Sequence, residues 1–369
     1  MKTNTHISIL SILSLILIMS CGTGDIAIQG DGYDMSSILK NMTENIIIPS
    51  YDQFEDDLNK LNTSTNEFIS NPNESNLTDL RKEWINTYLS FQNIEMFNIG
   101  KAEEIYFHKR MNTYPCNTTI INNNIENMMH DFSADNFSNY SSQGLPTLDY
   151  LLYGLGGDSS SVINYYIDTT GYKHREYLNI IVNEMVNNTN QVIDYWQNNE
   201  SQFISSSGNT STSSLNMITN DFIFYYEKGL RANKIGIPAG VYSSNVLPNN
   251  TEAYYKSDIS KDLALEALDA CKRFFNGESF LDGSTGESLN SYLIYLDLGN
   301  ELNNDILLSF ENSTDKLNGL DNNFKDQINS NNIKMLECFD ALQAGVVLLK
   351  TDMLSNLNIN VDYVDADGD

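Results

Sequence analysis

The chain is poor in the residues that most metal-binding and catalytic motifs require. Only 4 of its 369 residues are histidine, and none forms a His-Glu-x-x-His pair. A zinc peptidase generally needs two imidazoles on one helical face and a carboxylate base. His108, His130 and His174 are therefore expected to be surface or loop residues. The sequence also lacks a Gly-x-Ser-x-Gly elbow and a phosphate-binding glycine loop with lysine, so these enzyme classes have no local signature here.

Basic residues are scarce relative to acidic ones. Lys and Arg number 21 against 49 Asp and Glu, which gives a formal net charge of −28 at pH 7. Proteins that bind nucleic acid or anionic lipid use clusters of Lys and Arg, and the sequence shows no such cluster. The balance argues against both partners. It is compatible with cations, although an acidic balance alone usually reflects solubility.

Long apolar runs are absent except at the start of the chain. Lys2 supplies a positive start, and residues 7–19 form an apolar run that is too short to span a bilayer. The sequence Ile-Met-Ser-Cys that ends at Cys21 resembles the lipobox of bacterial lipoproteins. It predicts a signal peptide over residues 1–20 and lipid on Cys21, followed by a flexible tether over residues 21–33. An ordinary secretory signal with an incidental cysteine is the alternative.

Cysteine is also scarce, with four residues in the chain. Lipid on Cys21 leaves Cys116, Cys271 and Cys338, and an odd number of thiols cannot all pair. A Cys271–Cys338 bridge and separate buried thiols both remain open in an oxidising compartment. No Cys-x-x-Cys pattern occurs, which argues against a cysteine zinc site.

Helical periodicity recurs along the mature chain, whereas strand patterns are weak. Asn76 is predicted to cap one helix, and Ser260 another that stops at Gly277. Residues 234–240 are expected to form a loop whose shape is fixed by two glycines and Pro238. Apolar residues recur every three or four positions over residues 35–69, 172–198, 215–230 and 333–353. These patterns predict an all-α protein of antiparallel bundles.

Residues 205–214, a run of Ser, Thr, Gly and Asn, form the best internal boundary in the chain. The chain is also longer than one ordinary core usually takes. We therefore predict an N-terminal helical-bundle lobe over residues 34–204, a linker over 205–214 and a C-terminal lobe over 215–357. Residues 358–369 are predicted to be an acidic tail.

Residues 143–154 join glycine and proline to a short apolar run that carries one acid. Gly144 permits backbone angles that other residues avoid, and Pro146 suits the first turn of a helix. Asp149 then lies about one turn inside, on a face shared with apolar neighbours. An acid held there has a raised pKa or a partner. A capping or salt-bridging role for Asp149 is the structural alternative.

The combined order of several segments resembles the imelysin family, and more narrowly its lipoprotein branch. The resemblance covers essentially all of the mature chain, and no single segment would suffice for it. The segments are residues 45–51, 84–95 with Gly100, Tyr114-Pro115, 144–154, 234–238, and 350–352 with the acidic end 365–369. The family implies two helical-bundle lobes related by an internal duplication, with a functional site near their interface. Its members are associated with bacterial iron uptake, and some were named as peptidases.

The family signature Gly-x-His-x-x-Glu corresponds to Gly144, Pro146 and Asp149. Proline thus stands in the histidine position, and aspartate in the glutamate position. Proline has no ligand atom and no titratable proton. A mechanism that uses this histidine as a metal ligand or general base therefore cannot operate here in the same form. This departure favours a protein that is not an enzyme.

A shared polar pocket is the predicted functional site. Its residues are Gly144, Pro146, Asp149, Glu95, Tyr114 and Lys234. Carboxylates are hard oxygen ligands, so Asp149 and Glu95 are the candidate ligands for iron or another divalent cation.

The predicted function is a non-catalytic binding component in the acquisition of iron or another nutrient. The protein is expected to be exported and lipid-anchored to the bacterial envelope. The expected location is the outer membrane, on its periplasmic or surface side. An outer-membrane uptake protein is the expected partner. A metallopeptidase or hydrolase of the imelysin type is one alternative. A surface module that binds a partner protein or glycan is another.

Overall fold

The computed structural model describes residues 32–296 and 301–361. The predicted signal peptide, the lipidation site at Cys21, most of the tether and most of the acidic tail lie outside these ranges. The described residues from Asp34 onward cluster into one unit. The finer division of this unit into two lobes with a linker over residues 205–214 stays a prediction, as does the internal duplication.

The described part of the chain is helical and contains no β-strand, so the predicted all-α fold is confirmed. An isolated bridge joins Glu278 and Thr285. The α-helices of these residues are α1 (Met35–Asn41), α2 (Ile48–Ser70), α3 (Glu74–Phe91), α4 (Lys101–Glu104), α5 (Phe107–Met111), α6 (Thr118–Asn127), α7 (Gly144–Asp149), α8 (Ser159–Ile167), α9 (Gly171–Ser205), α10 (Ser214–Phe224), α11 (Ser260–Asn276), α12 (Leu289–Tyr295), α13 (Glu301–Asn318), α14 (Phe324–Val347) and α15 (Leu354–Leu357). None of the helices described here is both long and apolar enough to cross a membrane.

Segments with wider or tighter turns extend or connect these helices. The π-helical segments are Met42–Ile47, Tyr150–Gly154, Tyr225–Gly236 and Leu348–Met353, and the 3₁₀ segments are Phe137–Ser142, Pro248–Asn250 and Ser257–Ile259. A π-helix places each hydrogen bond five residues apart and is often found at functional sites. The segment Tyr225–Gly236 is the one that matters most for the site described below.

The core is built from aromatic side chains on the long helices. Helix α2 packs mainly against α3 and α9, and α14 packs against α13 and the segment Tyr225–Gly236. Phe54 of α2 lies 5.6 Å from Phe91 of α3, measured between ring centroids, and both are fully buried. Phe274 of α11 contacts Phe97 across the two halves of the chain, with 5.7 Å between the ring centroids. Such rings each bury a large apolar area, which stabilises the packing of the helices.

One predicted helix start was three residues late. Asn73, rather than Asn76, caps α3, because Asn73 Oδ1 accepts a hydrogen bond from the backbone N–H of Asn76 at 3.0 Å. The side chain of Asn76 donates instead to the carbonyl of Asn71 at 2.9 Å. Two nearby asparagines offer the same acceptor, and the sequence pattern does not tell which one precedes the helix. The predicted stop at Gly277 is confirmed, with φ +66° at that residue.

The predicted loop over residues 234–240 was wrong at its start. Helix α10 continues as the π-helix Tyr225–Gly236, so Lys234 lies on a helical segment. The backbone N–H of Ile237 donates to the carbonyl of Ala232, five residues earlier, at 2.8 Å. Pro238 has no N–H to continue this pattern, and the helix ends before it. A search for α-helical spacing does not detect this wider turn.

The three cysteines of the described residues are free thiols. Cys271 and Cys338 are both buried and unpaired, so of the two options left open by the sequence the structure has separate thiols. Burial raises the pKa of both thiols, to about 12 for Cys338, which keeps them protonated at physiological pH.

Candidate functional site

Lys234 and two glutamates form a buried ion cluster. The Nζ atom of Lys234 lies 2.8 and 2.7 Å from the two carboxylate oxygens of Glu252, and 3.3 Å from Glu95 Oε2. The side chains of Lys234 and Glu252 are 1% and 2% exposed, and that of Glu95 is 13% exposed. One ammonium thus lies between two carboxylates, which leaves one negative charge in excess.

Neutral side chains complete the cluster. The side-chain amide of Asn112 donates to Glu95 Oε1 and to Glu252 Oε1, in each case at 2.8 Å. The hydroxyl of Tyr225 donates to Glu95 Oε2 at 2.9 Å, and that of Tyr88 donates to Asn112 Oδ1 at 2.6 Å. Buried charges are tolerated only when their hydrogen-bonding capacity is met in this way.

Lys234, Tyr88 and Tyr225 keep their protonation states near neutral pH. Burial lowers the pKa of Lys234, but the attraction and hydrogen bonds of Glu252 and Glu95 outweigh burial and raise the pKa above its usual value. Burial and the neighbouring carboxylates also raise the pKa values of the Tyr88 and Tyr225 hydroxyls. Lys234 therefore stays an ammonium, and the phenols stay neutral hydrogen-bond donors.

Distant parts of the chain supply these side chains. Glu95 lies in the turn after α3, and Asn112 directly follows α5. Lys234 lies on the π-helix, and Glu252 lies in the loop before α11. The hydroxyl of Ser260 donates to the backbone carbonyl of Glu252 at 2.8 Å, which ties that loop to the start of α11.

A cavity of about 540 Å³ opens beside the cluster, and Glu95, Asn112, Tyr114 and Tyr225 line it. Its walls also contain aromatic and amide side chains, which include Tyr106, Phe224, Asn98, Asn233 and Asn250. Tyr106 has φ +53°, a backbone conformation that a bulky residue rarely adopts and that often marks a functional site. The volume is in the range typical of pockets for small organic molecules.

Asp149 lies apart from the cavity lining and binds backbone groups. The residue is 1% exposed, and its two carboxylate oxygens accept hydrogen bonds from the N–H groups of Tyr255 at 2.7 Å and Lys256 at 2.9 Å. Burial raises the pKa of Asp149 to about 7, against the opposing effect of these two bonds. Asp149 thus ties the end of α7 to the loop that also carries Glu252.

The Imelysin family model matches residues 47–349 of the chain. The chain belongs to the imelysin family. The resemblance inferred from the order of its segments is therefore confirmed. A search of curated protein sequences finds no significant match.

Solved structures support the fold of this imelysin. An imelysin-like protein from Psychrobacter arcticum matches with a TM-score of 0.69 and 16% identity, over 89% of this chain and 97% of that one. An iron-regulated protein A precursor from Parabacteroides distasonis matches with a TM-score of 0.66 and 13% identity, over 88% of this chain and 95% of that one. At these identities the likeness shows the fold alone.

In this imelysin, the residues at the signature positions support the packing of the elements that carry the site. Gly144 has φ +73°, and a Cβ there would lie 2.3 Å from the carbonyl oxygen of Met111. Only glycine therefore permits the close approach of α7 to the chain that carries Asn112. Pro146 is buried in the first turn of α7, as its sequence position predicts. Asp149 caps no helix of the described residues. Its carboxylate binds the backbone of the loop before the segment Ser257–Ile259.

The imelysin cluster does not fit a bound metal ion. Iron or another hard cation needs several oxygen or nitrogen ligands that face one point. The ammonium of Lys234 takes that position between Glu95 and Glu252, while Asp149 is bound to backbone N–H groups elsewhere. Within residues 32–296 and 301–361, no group of three or more His, Cys, Asp or Glu side chains could hold a metal ion.

The structure brings together Glu95, Tyr114 and Lys234 among the predicted pocket residues. Sequence reasoning missed Glu252 and Asn112, both of which bind the cluster directly. Glu252 lies in a loop whose sequence has no periodic pattern. Nothing in the sequence distinguishes it from the other 48 acidic residues as a site residue. An amide such as Asn112 is equally hard to single out in an asparagine-rich chain.

His108 was wrongly expected to be a surface or loop residue. It lies on α5 and lines the cavity, with Nδ1 3.1 Å from Asn98 Oδ1. Burial lowers the pKa of His108 to about 4. The imidazole is therefore neutral at physiological pH.

Proposed function

We propose that this imelysin is an exported, lipid-anchored and non-catalytic binding component of bacterial iron acquisition. The lipobox-like sequence at Cys21 supports export and anchoring. Family membership and the name of the Parabacteroides distasonis protein support a role in iron uptake. The observation that carries the binding role is the cavity of about 540 Å³ with a buried charged cluster in its wall.

The ligand is an organic molecule, and iron enters the cavity only as part of a complex. Lys234 already occupies the position between the two buried carboxylates, so a bare ion finds no vacant ligand set there. The rings of Tyr106 and Phe224 suit the apolar faces of a chelator, and side-chain amides suit its oxygen and nitrogen atoms. In such a complex the chelator itself supplies the iron ligands.

The chemistry of the signature positions supports binding rather than catalysis. Pro146 cannot transfer a proton or hold a metal ion. Asp149 uses both carboxylate oxygens on backbone N–H groups, so it is poorly placed to activate water in the cavity. An outer-membrane uptake protein is the proposed partner that receives or delivers the ligand.

The binding role is tested by titration calorimetry with a neutral ferric chelate, ferric tris(acetohydroxamate). We expect saturable binding to the wild-type protein and at least tenfold weaker binding to Phe224→Ala, because Phe224 lines the cavity and is 45% exposed. Tyr172→Ala is the matched control, since Tyr172 is 49% exposed and lies on α9 outside the lining.

Failure of the wild-type protein to bind the chelate would contradict the proposal, as would equal loss of affinity in both variants. Iron-free acetohydroxamate forms a second arm of the titration. Tighter binding of the ferric form is expected, because the complex presents more surface to the aromatic and amide walls.

A further inference from the structure

A second cavity, of about 370 Å³, has positively charged walls. Its lining includes Arg81, Lys82 and Lys256, together with the ring of Tyr153, and none of its lining residues is acidic. This is the reverse of the charge balance of the chain, which has 49 acidic and 21 basic residues. We call this feature the basic groove.

Arg81 is held rigidly in the wall of the basic groove. Its Nε and Nη2 atoms donate to the carbonyl of Leu152, and Nη1 donates to Ser159 Oγ at 2.8 Å. The guanidinium carbon lies 4.4 Å from the ring centroid of Tyr153. These contacts use three of the five guanidinium donors and leave two in a fixed geometry, so little side-chain entropy is lost when Arg81 binds an anion.

The ammonium of Lys256 is a second positive charge near the ring of Tyr153. Its Nζ atom lies 5.7 Å from the Tyr153 centroid, and its backbone N–H is held by Asp149 at 2.9 Å. Both cations are measured from the same ring centroid, so they lie within about 10 Å of each other. This is the Debye screening length at roughly 0.1 M salt. Like charges this close repel, and an anion placed between them would offset that repulsion.

The neighbouring acids only partly neutralise these cations. Lys256 pairs with Asp258 at 2.9 Å, and Lys82 pairs with Glu83 at 3.3 Å. Asp258 and Lys82 are 61% and 71% exposed, and ion pairs of this kind contribute little free energy. A ligand anion can therefore replace the acid partners at small cost, while Arg81 has no acid within salt-bridge distance in the described residues.

We propose that the basic groove binds a compact oxyanion, a carboxylate or phosphate group on a small organic molecule. Arg81 donates hydrogen bonds to the oxyanion, and the two lysines act as point charges. The ring of Tyr153 and the side chain of Ile85 pack against the body of the ligand. The groove is too small for a polymer, and the net charge of −28 repels nucleic acid and anionic membranes. This inference is independent of the proposed iron function.

The test titrates inorganic phosphate and citrate into the mature protein by calorimetry, at low and at high NaCl concentration. We expect at least one of the two anions to bind with an affinity that falls as salt rises. Binding to the double variant Lys82→Gln/Lys256→Gln is expected to be at least tenfold weaker. The backbone bond from Lys256 to Asp149 is unaffected by this change, so the fold is retained.

The control is Lys101→Gln/Lys316→Gln. These lysines also pair with acids, Glu104 at 2.6 Å and Glu337 at 3.0 Å, and they lie outside the groove. The control removes the same number of charges and is expected to bind like the wild type. Binding of phosphate alone or of citrate alone supports the inference and identifies the oxyanion. Absence of wild-type binding of both anions at millimolar concentration, or equal weakening in both double variants, would overturn it.

Discussion

At the scale of single residues, Lys234 determines what the buried site can bind. Its ammonium contacts both oxygens of Glu252 and one oxygen of Glu95, and burial around it is nearly complete. A buried pair of carboxylates without a cation would be strongly destabilising. The protein supplies that cation from its own chain, so the negative charge of the cluster is no sign of an iron site.

Asp149 and His108 make opposite contributions to the pH dependence of stability. Burial raises the Asp149 pKa from 3.8 to about 7, so between these values the native state holds a proton that the unfolded chain has released. Stability from this group falls as pH rises. Burial lowers the His108 pKa from 6.5 to about 4, so the unfolded chain binds the proton first and stability from this group rises with pH.

Single substitutions are expected to separate the two contributions. Between about pH 4 and pH 7, the free energy of unfolding of Asp149→Asn is expected to rise more steeply with pH than that of the wild type, because the falling Asp149 contribution is removed and the rising His108 contribution remains. His108→Gln is expected to show the opposite change of slope. Urea denaturation at a series of pH values measures both. Parallel pH profiles for all three proteins would show that these groups have ordinary pKa values.

At the scale of secondary-structure elements, the π-helix Tyr225–Gly236 builds one wall of the site. It carries Tyr225 and Lys234 to the cluster, and Gly229 lines the cavity between them. A Cβ on Gly229 would lie 2.5 Å from Cδ2 of the Tyr225 ring, which must then move. The ring position, and with it the bond from Tyr225 to Glu95, depends on this glycine.

Gly229→Ala is expected to weaken binding of ferric tris(acetohydroxamate) several-fold. Alanine favours a helix by roughly 1 kcal/mol over glycine, so global stability should change little while the cavity wall shifts. Gly157→Ala is the control, because nothing lies within 4 Å of a Cβ at that position. Titration calorimetry on both variants checks the prediction. Equal affinity of the two variants would mean that Tyr225 does not define the binding surface.

The elements differ in how well the sequence predicts them. Long helices such as α2 and α9 follow from their apolar spacing, and the stop at Gly277 follows from the glycine itself. The π-helix does not, because its five-residue hydrogen bonds leave no distinctive pattern of residue types. Gly144 and Pro146 were correctly placed at a helix entry. Glu252 was missed because its role depends on a contact with a residue brought near only by the fold.

At the scale of the whole molecule, the chain has a net negative charge, but the basic groove is locally positive. Lys82 and Lys256 are far apart in the sequence, so no basic cluster is visible there, yet both line one groove. The exclusion of nucleic acid and anionic lipid rests on the composition of the sequence and stays a prediction. The basic groove leads to the proposal of a class of ligand that the sequence did not suggest, a small oxyanion.

The proposed anchoring of the whole molecule depends on Cys21. Metabolic labelling with radioactive palmitate in a bacterial host is expected to label the wild type and Cys116→Ser, and to leave Cys21→Ser unlabelled, because only Cys21 follows a lipobox-like sequence. Label on Cys21→Ser, or an unlabelled wild type, would contradict lipid anchoring.

The claim that Lys234 replaces a metal ion is tested most directly by anaerobic calorimetric titration with ferrous ion. The wild type is expected to show no saturable binding, because the ammonium holds the position between Glu95 and Glu252. Lys234→Ala is expected to bind one ion per chain through the two freed carboxylates, and Lys234→Ala/Glu95→Gln to lose that binding. Stoichiometric binding of ferrous ion by the wild type, abolished by Glu95→Gln, would contradict the account.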